Sequence, residues 1–171
     1  MDALVLLAGR PNSGKSSLFN LVTGGDAHVG NFPGVTVDVL EAKVSLPGGR
    51  SASVADLPGF YSIAAVVDPK TDEGVARTVV EKAESGDRPW LVVQVIDATQ
   101  LAMGLRLTRE LRERNVPLLV ALTQKDVLAS EGRQIDAAAL EREIGAPVIV
   151  VSAREASSKR VIESAIESLL P

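Results

Sequence analysis

Short apolar runs alternate with longer amphipathic stretches along the whole chain. The runs predict strands at residues 3–8, 37–46, 51–56, 90–96, 117–123 and 147–152. Apolar residues at helical spacing predict helices at residues 15–23, 72–84, 100–114, 135–143 and 157–170. Strands that alternate with helices are typical of an α/β domain with a mainly parallel sheet.

The second and third predicted strands are joined by Pro47-Gly48-Gly49-Arg50, a short turn that predicts a hairpin. The expected architecture is therefore a six-stranded, mainly parallel sheet with one antiparallel edge strand and helices on both faces. Two long irregular stretches remain, at 24–36 and 57–71. Loops of this length in a compact domain are usually functional or disordered, and both leave the same end of the predicted sheet, which carries the phosphate loop.

The first strand leads directly into Gly9-Arg10-Pro11-Asn12-Ser13-Gly14-Lys15-Ser16, which fits the phosphate-loop pattern G-x-x-x-x-G-K-[ST]. A strand before the loop and a helix after it direct backbone N–H groups and the positive helix end at a polyphosphate. We expect Lys15 to reach the outer phosphates and the Ser16 hydroxyl to bind Mg²⁺. The predicted phosphate-binding residues are Gly9, Asn12, Ser13, Gly14, Lys15, Ser16 and Ser17.

Two stretches of the irregular loops predict contacts with Mg²⁺ and the γ-phosphate. Thr36, in Gly34-Val35-Thr36, is expected to complete the Mg²⁺ shell, and all three residues to contact the nucleotide. Asp56 follows a strand and can hold Mg²⁺ through water, while the Gly59 N–H can approach the γ-phosphate. Ras-type GTPases carry a water-orienting Gln directly after this glycine, where this chain has Phe60. Hydrolysis is therefore expected to be slow or to rely on another element.

Thr123-Gln124-Lys125-Asp126 follows a strand and resembles the base-reading pattern [NT]-K-x-D. The Asp126 carboxylate can accept two hydrogen bonds from guanine N1 and N2, a pair of donors that adenine lacks. Gln124 stands where Lys is usual, and this difference leaves the strength of guanine selectivity open. After the last strand, Ser152 and Ala153 are expected to complete the pocket, with the Ala153 N–H meeting guanine O6.

Composition limits the remaining possibilities. A chain of 171 residues is the size of one domain, which we assign to 1–171. The net charge of −4 disfavours a nucleic-acid partner. The absence of cysteine excludes a disulfide framework and fits a reducing cytoplasm. The longest apolar runs fall well short of the roughly 20 residues that span a bilayer, and the N-terminus lacks an export signal.

Four stretches carry a resemblance to a known family: Pro11–Asn20, Val29–Val37, Asp56–Ser62 and Val95–Thr99. With them the chain resembles the N-terminal cytoplasmic G domain of the ferrous iron transport protein B family, a Ras-like phosphate-loop NTPase. The resemblance implies a GTP-binding and GTP-hydrolysing domain that couples its nucleotide state to Fe²⁺ uptake and releases GDP easily. The helical domain and transmembrane permease that usually follow are expected to be missing. The parent protein is expected in the bacterial inner membrane, with this domain cytoplasmic and small accessory proteins as possible partners.

The resemblance also implies a K⁺ site beside the phosphates. Its ligands would be Asn12 and backbone carbonyls near Gly30 and Asn31, and the cation would supply the charge of an arginine finger. The residues assigned to catalysis are Asn12, which the resemblance implies, and Lys15, Thr36 and Gly59, which the motifs above indicate. One departure is Arg10, which replaces an Asn common at that position of the family.

Three alternatives stay open at this point. The first is a ribosome-assembly or tRNA-modification GTPase, which the acidic charge and the stretch from Gly30 to Val37 disfavour. The second is a nucleotide-gated binding module with negligible hydrolysis. The third is an NTPase of broad specificity, because Gln124 departs from the base-reading pattern.

Overall fold

The computed structural model describes residues 2–30, 32, 38–64 and 68–171. Its strands are β1 (Ala3–Gly9), β2 (His28–Gly30), β3 (Val39–Ser45), β4 (Ser51–Asp56), β5 (Trp90–Asp97), β6 (Leu118–Thr123) and β7 (Val148–Val150). Its helices are α1 (Lys15–Thr23), α2 (Asp72–Ser85), α3 (Leu101–Glu113), α4 (Lys125–Ser130), α5 (Ala137–Ile144) and α6 (Ser157–Leu169). A short 3-10 helix, Ala98–Gln100, precedes α3.

The seven strands form one sheet in the order β2-β3-β4-β1-β5-β6-β7. This confirms the predicted α/β class and mainly parallel sheet, but the expected number of six strands is wrong. The additional strand is β2, which lies within the stretch 24–36 that was expected to be irregular. Three residues are too few to carry a period-two signal, so the sequence pattern gives no indication of this strand.

Among the strands of the described residues, the one antiparallel strand also lies elsewhere than expected. β3 runs antiparallel to both of its neighbours, β2 and β4, so it is second from the edge. Residues His28–Gly30 of the first loop thus form a strand that covers the hairpin edge. The helix α4 was also missed, because its six residues are too short for an amphipathic period.

The core consists of two apolar layers, one on each face of the sheet. Alternate residues of β1 separate the layers, with Leu6 in one and Val5 in the other. The first layer packs beneath α2, α3 and α5, and the second beneath α1 and α6. Helices on both faces therefore agree with the prediction. Of the helices in the described ranges, none combines the length and the apolar character that crossing a bilayer requires.

The parallel strands place the candidate site. β1 pairs in parallel with β4 and β5, and β5 with β6, so these strands end at the same edge of the sheet. The loops that follow Gly9, Asp56 and Thr123 consequently leave from one side of the domain. Ligands of open α/β sheets bind at this carboxyl edge.

Candidate nucleotide site

The loop between β1 and α1 is shaped by residues in left-handed backbone conformations. Asn12 has φ 61° and Gly14 has φ 90°, a region that glycine adopts freely and Asn tolerates better than most residues. Gly9 begins the loop, and a Cβ there would lie 2.6 Å from the Val95 carbonyl oxygen. This local sequence therefore permits a tight turn that ends at the amino terminus of α1.

A cleft of about 750 Å³ opens in front of this loop. It is lined by Arg10, Pro11, Asn12, Gly14, Lys15, Ser16, Ser17, Gly59 and Asp72. We refer to it as the phosphate cleft. At its wall the Lys15 ammonium forms an ion pair with the Asp56 carboxylate, and each side chain is only 10% exposed. A nearly buried cation on α1 thus faces the carboxylate that ends β4.

The second loop packs against the phosphate loop. A Cβ on Gly59 would come within 2.9 Å of the Pro11 nitrogen, so only glycine allows this approach. The Phe60 N–H donates to the Gly9 carbonyl at 3.0 Å, and the Phe60 side chain is fully buried in the core. The residue at the position of the Ras-type Gln therefore serves packing.

Arg10 also contacts the second loop. Its guanidinium carbon lies 5.1 Å from the centre of the Tyr61 ring, in a cation–π arrangement. The sequence marked Arg10 only as a departure from the family pattern. The structure gives it a role in joining the two loops.

A second cleft of about 550 Å³ adjoins the first. Its lining residues are Gly14, Ser17, Thr123, Gln124, Asp126, Ser152, Ala153 and Arg154. We call it the base cleft. Gly14 and Ser17 line both clefts, so the two form neighbouring parts of one surface.

Thr123 joins the two parts of the site. Its buried hydroxyl donates to the Ser13 carbonyl at 2.8 Å, with the Ile96 carbonyl oxygen 3.2 Å away. The next residue, Gln124, has φ 63° and directly precedes α4. By contrast, the Ser13 hydroxyl is buried and has no hydrogen-bond partner among the described residues.

Asp126 accepts hydrogen bonds on both carboxylate oxygens. The Ser152 hydroxyl donates to Oδ1 at 3.1 Å, and Arg154 Nη1 donates to Oδ2 at 3.2 Å. Desolvation opposes ionisation of the carboxyl, but hydrogen bonds from the Ser152 hydroxyl and from the backbone N–H groups of Asp126 and Val127, together with the charge of Arg154, outweigh it and lower the pKa of Asp126. The side chain is thus held as an acceptor for paired donors.

The remaining predicted site residues fall into two groups, those outside the described residues and one, Gly30, that lies apart from the phosphate cleft. Asn31, Gly34, Val35 and Thr36 lie outside the described residues. Gly30 ends β2, where its near neighbours are Glu41 and Val39, rather than joining the described residues that line the phosphate cleft. The structure therefore brings together the phosphate-loop, Asp56, Gly59 and base-cleft residues, but leaves Gly30 apart from them.

Sequence reasoning also missed Arg154 at the base cleft. The only signal was its position directly after Ser152 and Ala153, at the end of a strand that already pointed to the site. A surface arginine has no distinguishing pattern by itself.

Fold and site together define a phosphate-loop G domain with a GTPase fold. A family model described as ferrous iron transport protein B matches residues 3–166. The chain belongs to this family and corresponds to its N-terminal G domain.

Individual proteins support the same assignment. The Fe(2+) transporter FeoB of Leptospira biflexa is 36% identical over 150 residues, which cover 88% of this chain and 21% of that protein. The FeoB G-domain from Methanococcus jannaschii has 34% identity and a TM-score of 0.80, with 99% of this chain and 98% of that one covered. A GDP-bound mutant of the S. thermophilus FeoB G-domain has 34% identity and a TM-score of 0.79, with coverages of 98% and 61%. The chain spans about a fifth of the length of the transporter from Leptospira biflexa.

Proposed function

We propose that this domain binds GTP, hydrolyses it slowly to GDP and phosphate, and couples its nucleotide state to Fe²⁺ uptake by a transporter. The observation that carries the proposal is the pair of adjoining clefts that share Gly14 and Ser17. One cleft presents a lysine and the N-terminus of α1, which suit phosphates. The other presents Asp126, which suits a base with paired donors. A nucleotide is the class of ligand that has both parts.

Guanine is the base that Asp126 matches best. An ionised carboxylate with two oxygens can accept from the N1–H and the N2 amino group together, whereas adenine would leave a carboxylate oxygen unpaired. Ser152 and Ala153 line the same cleft, where a backbone N–H can meet the guanine O6. The GDP-bound relative supports this choice.

The residues near Lys15 fit Mg²⁺, which prefers oxygen ligands. Ser16 lines the phosphate cleft, and the Asp56 carboxylate reaches its wall at Lys15. We propose that these two residues hold the ion together with Thr36. A bound Mg²⁺ would neutralise phosphate charge. Lys15 itself binds the outer phosphates, and the Gly59 N–H contacts the terminal one.

Asn12 is the proposed ligand of a stimulating K⁺. It lines the phosphate cleft, where the residue is exposed and its backbone is left-handed. The other proposed ligands are backbone carbonyls near Gly30 and Asn31, and Gly30 would have to move from its position beside Glu41 to reach the cation. This step would make hydrolysis dependent on both the cation and the loop.

The wider setting follows from the relatives. Because they are Fe(2+) transporters, we propose that this domain acts on the cytoplasmic side of the bacterial inner membrane. Its partners would be a helical domain, a transmembrane permease and small accessory proteins of the iron system. The two loops would report the presence of the γ-phosphate to these partners.

Phosphate release tests the proposal. The purified chain and its Asn12→Ala variant are assayed with GTP and with ATP, in K⁺ and in Na⁺ buffers of equal ionic strength. We expect GTP to be preferred, K⁺ to stimulate, and Asn12→Ala to lose the stimulation while still binding GDP. Equal rates in K⁺ and Na⁺, or stimulation that survives in Asn12→Ala, would contradict the role of Asn12.

A second candidate is a nucleotide-gated binding module without significant hydrolysis. The observation in its favour is Phe60, a buried apolar residue where a Ras-type GTPase has its water-orienting Gln. Tight GTP binding with no phosphate release above background, even in K⁺, would support this candidate over the first.

A further inference from the structure

The Glu110 carboxylate on α3 accepts hydrogen bonds from three described residues of the second loop. The Ser62 hydroxyl donates to it, with distances of 2.8 Å to Oε2 and 3.0 Å to Oε1. The Ile63 N–H donates to Oε2 at 2.8 Å and the Ala64 N–H at 3.3 Å. Three consecutive residues of the loop therefore share one acceptor on a neighbouring helix.

This carboxylate is well shielded and ionised. Its side chain is 11% exposed, and Arg106, one turn earlier on α3, donates from Nε to Oε1 at 3.2 Å. Burial opposes ionisation, but the hydrogen bonds from Ile63, Ser62, Ala64 and Arg106 outweigh it and lower the pKa of Glu110. Hydrogen bonds to an ionised, shielded acceptor are stronger than those between neutral groups.

The preceding residues of the loop contact the phosphate loop instead. Gly59 packs on Pro11, the Phe60 N–H bonds to the Gly9 carbonyl, and the Tyr61 ring lies beneath Arg10. The segment 59–64 is thus fixed at both ends, by the phosphate loop at 59–61 and by Glu110 at 62–64. In this position of the segment, Gly59 lines the phosphate cleft.

We propose that Glu110 is a positioning residue for the terminal phosphate of the nucleotide. By fixing residues 62–64 on α3, it keeps the Gly59 N–H at the wall of the phosphate cleft. The proposal rests on the proposed GTP-binding function and names a residue of α3 that determines how the site distinguishes GTP from GDP.

Loss of Glu110 is expected to weaken the binding of GTP but not the binding of GDP. Without Glu110 the segment samples other positions, so binding of a third phosphate must first order it. The affinity for a non-hydrolysable GTP analogue should fall about tenfold, the size expected when charge-assisted hydrogen bonds are lost. The affinity for GDP should stay within about twofold, because GDP has no phosphate that reaches Gly59.

The test compares Glu110→Ala and Glu110→Gln with Glu113→Ala. Glu113 is an exposed residue of the same helix and provides a control for the loss of a negative charge on α3. Titration calorimetry gives the affinities for GDP and for the analogue in the presence of Mg²⁺. Hydrogen exchange reports directly on the Ile63 and Ala64 amides, which should exchange faster in Glu110→Ala than in Glu113→Ala. Glu110→Gln keeps one acceptor oxygen and should have an intermediate effect.

The outcomes distinguish a failure of the proposed role of Glu110 from a failure of the proposed GTP-binding function. A tenfold loss for the analogue alone, with faster amide exchange, supports the proposal. An equal loss for both nucleotides, or no loss in Glu110→Ala, overturns it while leaving the proposed function intact. A wild-type chain that binds neither nucleotide contradicts the proposed function itself.

Discussion

The phosphate cleft and the base cleft each contain a carboxylate paired with a cation, but the two pairs differ in burial. Lys15 and Asp56 are each 10% exposed, whereas Arg154 is 81% and Asp126 29% exposed. A shielded pair is costly to disrupt on one side, and an exposed pair contributes little. The two charges at the phosphate end are therefore held together until a phosphate replaces Asp56 as the partner of Lys15 and Mg²⁺ replaces Lys15 as the partner of Asp56. At the base end, Asp126 can exchange Arg154 for a guanine at a low cost in free energy.

The largest expected effect comes from the base cleft. Replacing Asp126 with Ala removes the acceptor for both guanine donors, so the preference for GTP over ATP should fall by roughly 100-fold or more. Competition binding with the two nucleotides measures the ratio. An unchanged ratio would show that the base is read elsewhere.

The same assay has a pH dependence with a defined sign. Because the pKa of Asp126 is lowered, its carboxylate stays ionised well below neutral pH. The wild-type preference should thus be constant from about pH 8 to about pH 5 and decline only under more acidic conditions. A decline close to neutral pH would indicate another titrating group.

The next effect is the contribution of the shielded Lys15–Asp56 pair to the stability of the domain. Asp56→Ala leaves the Lys15 ammonium without its partner in a nearly buried position, so the free energy of unfolding should fall by about 3 kcal/mol. Urea unfolding without nucleotide measures this loss. The double variant Lys15→Met/Asp56→Ala removes both charges and should recover much of it. Equal stability of the single and double variants would mean that the pair is better solvated than its exposure suggests.

The smallest effect is expected from the exposed pair. Arg154 donates to the Asp126 oxygen that a guanine would need, so Arg154→Ala should strengthen GDP binding, by at most about fivefold. The gain should shrink as salt is raised, since salt screens the pair. Arg160→Ala, an exposed arginine of α6, controls for the lost charge. Weaker GDP binding in Arg154→Ala would mean that this arginine assists the nucleotide rather than competing with it.

The sequence predicted those parts of the fold and site that depend on local spacing. The phosphate loop combines fixed glycine positions with a strand before and a helix after it, and Asp126 belongs to a four-residue pattern. Short apolar runs likewise predicted six of the seven strands that the described residues form. Each of these features lies within a short segment, so one amino-acid sequence is enough to identify it.

The remainder depends on contacts between distant residues. Ser62 and Glu110 are 48 residues apart, and neither belongs to a pattern that would pair them. Phe60 is a second example. The sequence showed that the water-orienting Gln is missing at this position, but not that the Phe60 ring is buried in the core. The strand β2 depends on pairing with β3, since its own three residues are too short to indicate it.

The hydrogen bond of the Thr123 hydroxyl explains why Asn or Thr occupies the first position of the base-reading pattern [NT]-K-x-D. Because this side chain donates to the Ser13 carbonyl, its position requires a short polar donor rather than a particular shape. Thr and Asn both supply one, whereas Val has almost the shape of Thr but nothing to donate. The first residue of a motif named for the base is therefore constrained by the backbone of the phosphate loop, and the requirement for a donor at this position does not depend on which side chain stands at position 13.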